Sequence, residues 1–79
     1  MKVAIIGQGY VGLTISVFAG ETCEVVGFDN NSRIVGQLNQ GLSHIEGVES
    51  DQLIKLIRLG NYKATDNGSD ISDSDIVVI

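Results

Sequence analysis

Apolar residues are concentrated in four short runs of the chain, and polar or helix-like segments separate them. The runs lie at Lys2–Ile6, Glu24–Phe28, Tyr62–Thr65 and Ile76–Ile79. Most of their residues are apolar, which is typical of strands that are covered on both faces in a parallel sheet. The pattern therefore predicts four β-strands.

A helix is expected between the first two strands, from Tyr10 or Val11 to Ala19, with Gly20 at its C-terminal end. Apolar residues at positions i, i+4 and i+7 predict one apolar face on this helix. These residues are Val11, Ile15 and Phe18.

Two further helices are expected between the second and third strands. Asn30-Asn31-Ser32 can cap the first, which runs to about Gln40 and is stopped by Gly41. Ser50 is the predicted N-cap of the second, which ends at Gly60. Their predicted apolar positions are Ile34, Val35 and Leu38 in the first and Leu53, Leu56 and Ile57 in the second.

The segments between these helices and strands carry polar residues. Leu42–Val48 has no clear period and is predicted to be a loop, and the acidic stretch Asp66–Asp75 is predicted to hold a turn or a short helix. Strands that alternate with helices imply an α/β fold with a parallel, doubly wound sheet and right-handed crossovers. The expected strand order is 3-2-1-4.

The last predicted strand, Ile76–Ile79, would form an exposed apolar edge in such a sheet. Doubly wound domains continue past this point into a helix and further strands. We therefore expect residues 1–79 to be the N-terminal part of a dinucleotide-binding domain in a longer protein.

A glycine-rich turn, Gly7-Gln8-Gly9-Tyr10-Val11-Gly12, joins the first strand directly to the first helix. In the Rossmann-type fold, the first glycine permits the tight turn and the second lets the backbone approach a pyrophosphate. The third, here Gly12, lets the helix pack closely on the strands. Backbone N–H groups and the helix dipole then favour the negative phosphates. This context predicts a partial Rossmann-type sheet that binds a dinucleotide.

An acidic residue, Asp29, closes the second strand and lies 20 positions after Gly9. A carboxylate there accepts hydrogen bonds from the adenosine ribose and repels a 2′-phosphate, so NAD is predicted in preference to NADP. Arg33 follows one turn later and is a candidate contact for the ribose or a phosphate, although a surface role is equally compatible. The predicted cofactor-binding residues are Gly7, Gln8, Gly9, Tyr10, Val11, Gly12, Asp29 and Arg33.

Two other interpretations of the turn remain open. The glycines can serve the turn and its packing alone, in a fold that binds nothing. The ligand can also be a nucleotide other than NAD, such as FAD or an adenine nucleotide.

The net charge of −5 argues against nucleic acid or an anionic membrane as a partner, because both require a basic face. No run of 18 apolar residues predicts a membrane span, and Met1 and Lys2 lead straight into a strand without room for a signal peptide. A cytoplasmic location is the expectation.

No catalytic or metal-binding residue is predicted in the chain. Cys23 lies between the first helix and the second strand, away from the expected cofactor crevice, and a structural role is favoured. His44 lies in a loop beside Glu46, and a zinc site needs more ligands than these. The aspartates of the acidic stretch lack the spacing of a Ca²⁺ loop.

The N-terminal sequence MKVAIIGQGYVGL resembles that of the nucleotide-sugar 6-dehydrogenases, the UDP-glucose/GDP-mannose dehydrogenase family. The Gly-Tyr-Val-Gly ending is more specific than the glycine pattern alone. The resemblance spans the whole chain through Val25–Asp29, Leu38–Gly41, Ala64–Asp66 and Ser74–Ile79. The Ser-His-Ile-Glu loop at 43–46 favours the UDP-N-acetylhexosamine branch.

This resemblance implies an enzyme that oxidises the C6 alcohol of a UDP-sugar to a carboxylate with two NAD, in polysaccharide biosynthesis and as a homo-oligomer. It also implies that the catalytic residues lie outside this chain, which should be inactive alone. Many members carry a basic residue five positions after the ribose-binding aspartate. Ile34 stands there in this chain and Arg33 one position earlier, so the role of Arg33 stays open.

Two alternative functions compete with this one. The first is a regulatory nucleotide-sensing module, like the Rossmann domains that gate potassium transport. Such modules usually lack the long loop seen at Leu42–Val48, and Tyr10-Val11 is less typical of them. The second is a dehydrogenase of another substrate class, such as 3-hydroxyacyl or 6-phosphogluconate, against which the stretch Asn39–Glu46 argues.

Overall fold

The computed structural model describes residues 1–79 as one parallel sheet with helices packed against it. The four strands are ordered β3-β2-β1-β4, which confirms the predicted α/β class and strand order. The elements are β1 (Lys2–Ile6), α1 (Tyr10–Gly20), β2 (Glu24–Phe28), α2 (Ser32–Asn39), α3 (Ser50–Arg58), β3 (Tyr62–Thr65), a 3-10 turn (Gly68–Ile71) and β4 (Ile76–Val78). Each predicted strand and helix is present, and the acidic stretch holds the short helical turn.

The strand register aligns the carboxyl ends of β1 and β2. Ile6 pairs with Phe28, and Phe28 pairs in turn with Thr65 of β3. The polypeptide segments that leave these strands therefore begin at the same edge of the sheet. This edge is where doubly wound folds bind nucleotides.

One apolar core lies between the sheet and the helices. Burial of the core side chains stabilises the folded state by about 25 cal/mol per Å² of apolar surface removed from water. The core comprises Val3, Ile5, Leu13, Val17, Val25, Val35, Leu38, Val48, Leu53, Leu56, Tyr62 and Ala64. The predicted apolar faces of α2 and α3 supply four of these residues, which confirms both faces.

The predicted apolar face of α1 is wrong. Phe18 and Val11 are exposed by 83% and 67%, and Ile15 is also exposed. The helix instead buries Leu13, Ser16, Val17 and Gly20. Small residues on the inner face let the helix lie close to its neighbours, since a Cβ on Gly20 would stand 2.7 Å from Leu56 Cδ1. The spacing of the large apolar residues Val11, Ile15 and Phe18 therefore predicted the wrong face of α1 as the buried one.

Two helix boundaries also differ from the predictions. Gly20 is the last residue inside α1, and Glu21 occupies the C-cap. Ser50 is the first residue of α3, and Glu49 is its N-cap. The Ser50 hydroxyl instead accepts a hydrogen bond from the Ser43 N–H at 3.1 Å, so it holds the preceding loop rather than the helix end.

The acidic stretch before β4 has a cationic partner that the sequence analysis did not identify. The Lys2 ammonium donates to the Asp73 carboxylate and to the carbonyl oxygen of Asp70. The Lys2 N–H donates to Asp75 Oδ2 at 2.8 Å. The hydrogen bond from Lys2 lowers the pKa of Asp73, and the same contact raises the pKa of Lys2. These contacts fix the amino end of β1, opposite the carboxyl edge of the sheet.

None of the helices has the length and apolar character needed to cross a lipid bilayer.

Candidate functional site

The turn from β1 to α1 begins with a backbone conformation that favours glycine. Gly7 has φ of +87°, in the left-handed region. Its N–H donates to the carbonyl oxygen of Phe28 at 2.7 Å, which ties the turn to the end of β2. The turn therefore leaves the sheet at a fixed angle.

The third glycine of the motif lies against the first. A Cβ on Gly12 would overlap the carbonyl oxygen of Gly7. The glycine thus brings the first turn of α1 into contact with the end of β1. By contrast, nothing lies within 4 Å of the Cβ position of Gly9, so the middle glycine faces open space.

The N-terminus of α1 carries donors without acceptors in the protein. Gly9 is its N-cap and supplies no side-chain hydrogen bond, and the first turn holds no acidic residue. The N–H groups of Tyr10, Val11 and Gly12 make no hydrogen bond within the chain. In α2, by contrast, the Asn31 side chain accepts from two backbone N–H groups. Unsatisfied amides at a helix start are suited to bind an anion.

Asp29 follows β2 and holds its carboxylate beside the turn. Its Oδ2 accepts from the Gln8 N–H at 3.0 Å, and its Oδ1 accepts from the Asn31 N–H at 2.9 Å. The residue is half-buried. Each carboxylate oxygen can accept further hydrogen bonds. The carboxylate is thus oriented by the backbone and still has acceptor capacity for a ligand.

A shallow pocket of about 180 Å³ lies between the ends of β1 and β2. Its lining consists of Ile6, Gly7, Phe28, Asp29 and Asn30. A larger pocket of about 570 Å³ lies around Lys2, Glu24 and the acidic turn, toward the amino ends of the strands. Only the smaller pocket is at the carboxyl edge, where the glycine turn and Asp29 meet.

Three other predicted cofactor-binding residues, Tyr10, Val11 and Arg33, have exposed side chains. Tyr10 and Val11 have exposed side chains, so their contribution to the turn comes from the main chain. Arg33 is exposed in the first turn of α2, and its guanidinium makes no hydrogen bond or ion pair within the chain. The Arg33 side chain therefore has no partner within the chain, and it does not line the pocket between β1 and β2.

Gln8 has a side chain that points away from the pocket. It is fully buried beneath the turn, and its Oε1 accepts from Tyr62 Oη at 2.8 Å and lies 3.1 Å from Ser16 Oγ. Only the main chain of Gln8 remains at the cofactor edge. Sequence reasoning missed Tyr62 because 54 positions separate it from Gln8 and no motif links them.

Two other residues that could carry chemistry, Cys23 and His44, do not line the pocket between β1 and β2. Cys23 is a free thiol, partly buried against the core. His44 is exposed in the loop between α2 and α3. Neither belongs to a group of three or more potential metal ligands.

Comparison with known proteins identifies relatives along the whole chain. Residues 1–79 match the UDP-glucose/GDP-mannose dehydrogenase family, NAD binding domain. The UDP-N-acetyl-D-mannosamine dehydrogenase of Pyrococcus horikoshii is 37% identical over 81 residues, which cover 100% of this chain and 19% of that protein. A solved structure of the UDP-D-ManNAc dehydrogenase from Pyrococcus horikoshii superposes with a TM-score of 0.87 at 35% identity, over 98% of this chain and 19% of that one.

A second solved structure is a ternary complex of GDP-mannose dehydrogenase from Pseudomonas aeruginosa. It superposes with a TM-score of 0.82 at 32% identity and covers 98% of this chain and 18% of that chain. The present chain thus spans about a fifth of the length of these relatives. Because residues 1–79 all match the model of its NAD-binding domain, the chain belongs to the UDP-glucose/GDP-mannose dehydrogenase family.

Proposed function

We propose that Gly7–Gly12 and Asp29 hold the adenosine diphosphate half of NAD. The pyrophosphate would lie at the start of α1, where three backbone N–H groups lack an acceptor. The adenosine ribose would lie on the Asp29 carboxylate at the pocket between β1 and β2. The observation that carries this proposal is the joint presence of free amides and an oriented carboxylate at one edge of the sheet.

Each predicted residue has a defined task in this proposal. Gly7 forms the turn, Gly9 leaves room for the pyrophosphate, and Gly12 holds the helix start against the strand. The amides of Tyr10, Val11 and Gly12 bind phosphate oxygens, and the main chain of Gln8 orients Asp29. The exposed Arg33 guanidinium is available to pair with a phosphate or the ribose.

NAD bound here supplies a nicotinamide that accepts a hydride. The whole protein would use two such steps to oxidise a sugar C6 alcohol: R–CH₂OH, water and two NAD⁺ give R–COO⁻, two NADH and three H⁺. The names of the relatives support this reaction class, because they describe UDP-sugar dehydrogenases. This chain contributes cofactor binding, and we place the catalytic residues outside it.

A UDP-linked N-acetylhexosamine is the proposed substrate of the whole protein. Relatives described as UDP-N-acetyl-D-mannosamine and UDP-N-acetyl-D-glucosamine dehydrogenases support this class. The Ser43–Glu46 loop sequence favours the same branch. The hydrogen bond from the Ser43 N–H to Ser50 Oγ ties the start of this loop to the start of α3.

The intact protein is expected to reduce NAD when a UDP-N-acetylhexosamine is added. The test follows NADH absorbance with UDP-N-acetylmannosamine, UDP-N-acetylglucosamine and UDP-glucose, each with NAD or NADP. We expect two NADH for each sugar oxidised, faster with an N-acetylated sugar and with NAD. Tight NAD binding without reduction by any of these sugars would favour a regulatory nucleotide-sensing module instead.

A further inference from the structure

A buried polar cluster lies beneath the glycine turn and is separate from the pocket edge. Its centre is the Gln8 carboxamide, which is fully buried. Gln8 Nε2 donates to the carbonyl oxygens of Gly7 at 3.1 Å and Ile5 at 3.3 Å. Because carbonyl oxygens only accept, these two contacts fix which end of the carboxamide is the nitrogen.

The other end of the carboxamide, Gln8 Oε1, meets two hydroxyl groups. Tyr62 Oη lies 2.8 Å from it and Ser16 Oγ lies 3.1 Å from it. The Ser16 hydroxyl also lies 2.8 Å from the carbonyl oxygen of Gly12 and has a single hydrogen to donate. Tyr62 is therefore the dedicated donor to Gln8.

The space for this carboxamide comes from β2. A Cβ on Gly27 would overlap the carboxamide of Gln8, so a larger residue there would displace it. The backbone N–H of Gln8 meanwhile donates to Asp29 Oδ2 at 3.0 Å. One residue of the turn is thus joined by its main chain to the end of β2 and by its side chain to β3.

Tyr62 is suited to act as a hydrogen-bond donor to Gln8. Its side chain is only 4% exposed. Burial raises the pKa of the Tyr62 hydroxyl far above its usual value, and the negative charge of Asp29 raises it further. The hydroxyl is therefore protonated at neutral pH and can donate its hydrogen to Gln8 Oε1.

We infer that Tyr62 and Gln8 are a pair of positioning residues that set the geometry of the pyrophosphate-binding turn. This inference rests on the proposed NAD site and adds two residues to it, neither of which touches the cofactor through its side chain. If the pair affects only the geometry of this turn, its loss weakens the binding of ligands that carry a pyrophosphate and leaves the binding of ligands without one unchanged.

The test compares two ligands on the intact protein. ADP-ribose contains the pyrophosphate, whereas adenosine contains only the part expected on Asp29. We expect Tyr62→Phe to weaken ADP-ribose binding about fivefold to tenfold, which corresponds to one net hydrogen bond. Adenosine binding, measured by ligand-observed NMR, should change by less than about twofold, the scatter expected for a group the variant does not touch.

Gln8→Met provides the second arm, because it keeps the length of the side chain and removes the amide. It should also weaken ADP-ribose selectively, and the Gln8→Met/Tyr62→Phe double variant should bind no worse than Gln8→Met alone. This non-additivity follows because Tyr62 acts through Gln8. If Tyr62→Phe does not fold, Gln8→Met alone gives the same comparison of ligands.

Asn61→Ala is the matched control. Asn61 precedes Tyr62 and donates to the carbonyl oxygen of Gly20 at 2.9 Å, at the opposite end of α1. This variant loses one hydrogen bond without touching the turn, and its ADP-ribose affinity should match the wild type.

Three results would be decisive against one proposal or the other. Wild-type protein that binds neither ADP-ribose nor NAD contradicts the proposed NAD site. Wild-type binding with unchanged ADP-ribose affinity in both Tyr62→Phe and Gln8→Met contradicts the positioning pair alone. Equal loss of ADP-ribose and adenosine also contradicts it, because that result indicates a general structural role.

Discussion

Gly12→Ala is expected to lower the free energy of unfolding by about 3 kcal/mol, the upper end of the cost of overpacking a site. The new Cβ would overlap the Gly7 carbonyl oxygen, which is backbone and cannot rotate away like a side chain. The helix start must therefore move from the strand. The movement also displaces the amides that are proposed to bind the pyrophosphate, so NAD binding should be lost as well.

Gly36→Ala is the control for this prediction. Gly36 lies within α2, and nothing stands within 4 Å of its Cβ position. Alanine there should stabilise the helix by up to about 1 kcal/mol. Denaturant unfolding of the intact protein measures both variants. Equal stability of Gly12→Ala and Gly36→Ala would show that the close contact between Gly7 and Gly12 is not required.

Asp29→Ala is expected to weaken NAD binding about 10- to 100-fold, the range that corresponds to losing a charged hydrogen-bond partner. The carboxylate has two tasks that both disappear. It orients the turn through the Gln8 and Asn31 N–H groups, and it is proposed to accept from the adenosine ribose. Isothermal titration of NAD and NADP measures the loss.

Asp29→Asn separates the charge from the shape of the side chain. It removes the negative charge that repels a 2′-phosphate, so the preference for NAD over NADP should narrow. Asp73→Asn is the matched control, because Asp73 is an exposed carboxylate that contacts Lys2 at the opposite end of β1. An unchanged NAD preference in Asp29→Asn would contradict the assigned role of this carboxylate.

The sequence predicts the sheet because its two central strands, β1 and β2, are local apolar runs that are followed directly by Gly7 and Asp29. Lys2–Ile6 and Glu24–Phe28 lie at the predicted positions. The glycine turn and Asp29 also follow from local spacing, and the structure brings them to one edge. Their roles toward NAD remain proposals that the substitutions above test.

Contacts between distant segments could not be predicted in the same way. The inner face of α1 is defined by small residues that fit against Leu56, and a pattern of large apolar residues points to the exposed side instead. The contact of Tyr62 with Gln8 joins two elements that only the folded chain brings together. Such features depend on contacts between residues that are far apart in the sequence, and no repeating sequence pattern marks these contacts.

Gly9→Ala tests the proposed pyrophosphate site most directly, because it separates binding from folding. The Cβ would enter open space, and Gly9 has φ of −80°, which alanine adopts readily. The free energy of unfolding should fall by less than about 1 kcal/mol, the range for a change at an N-cap. The added methyl group would stand where the pyrophosphate is proposed to lie, so the NAD dissociation constant should rise at least about tenfold, or 1.4 kcal/mol. A normally folded Gly9→Ala protein that binds NAD as tightly as the wild type would contradict the placement of the cofactor on this turn.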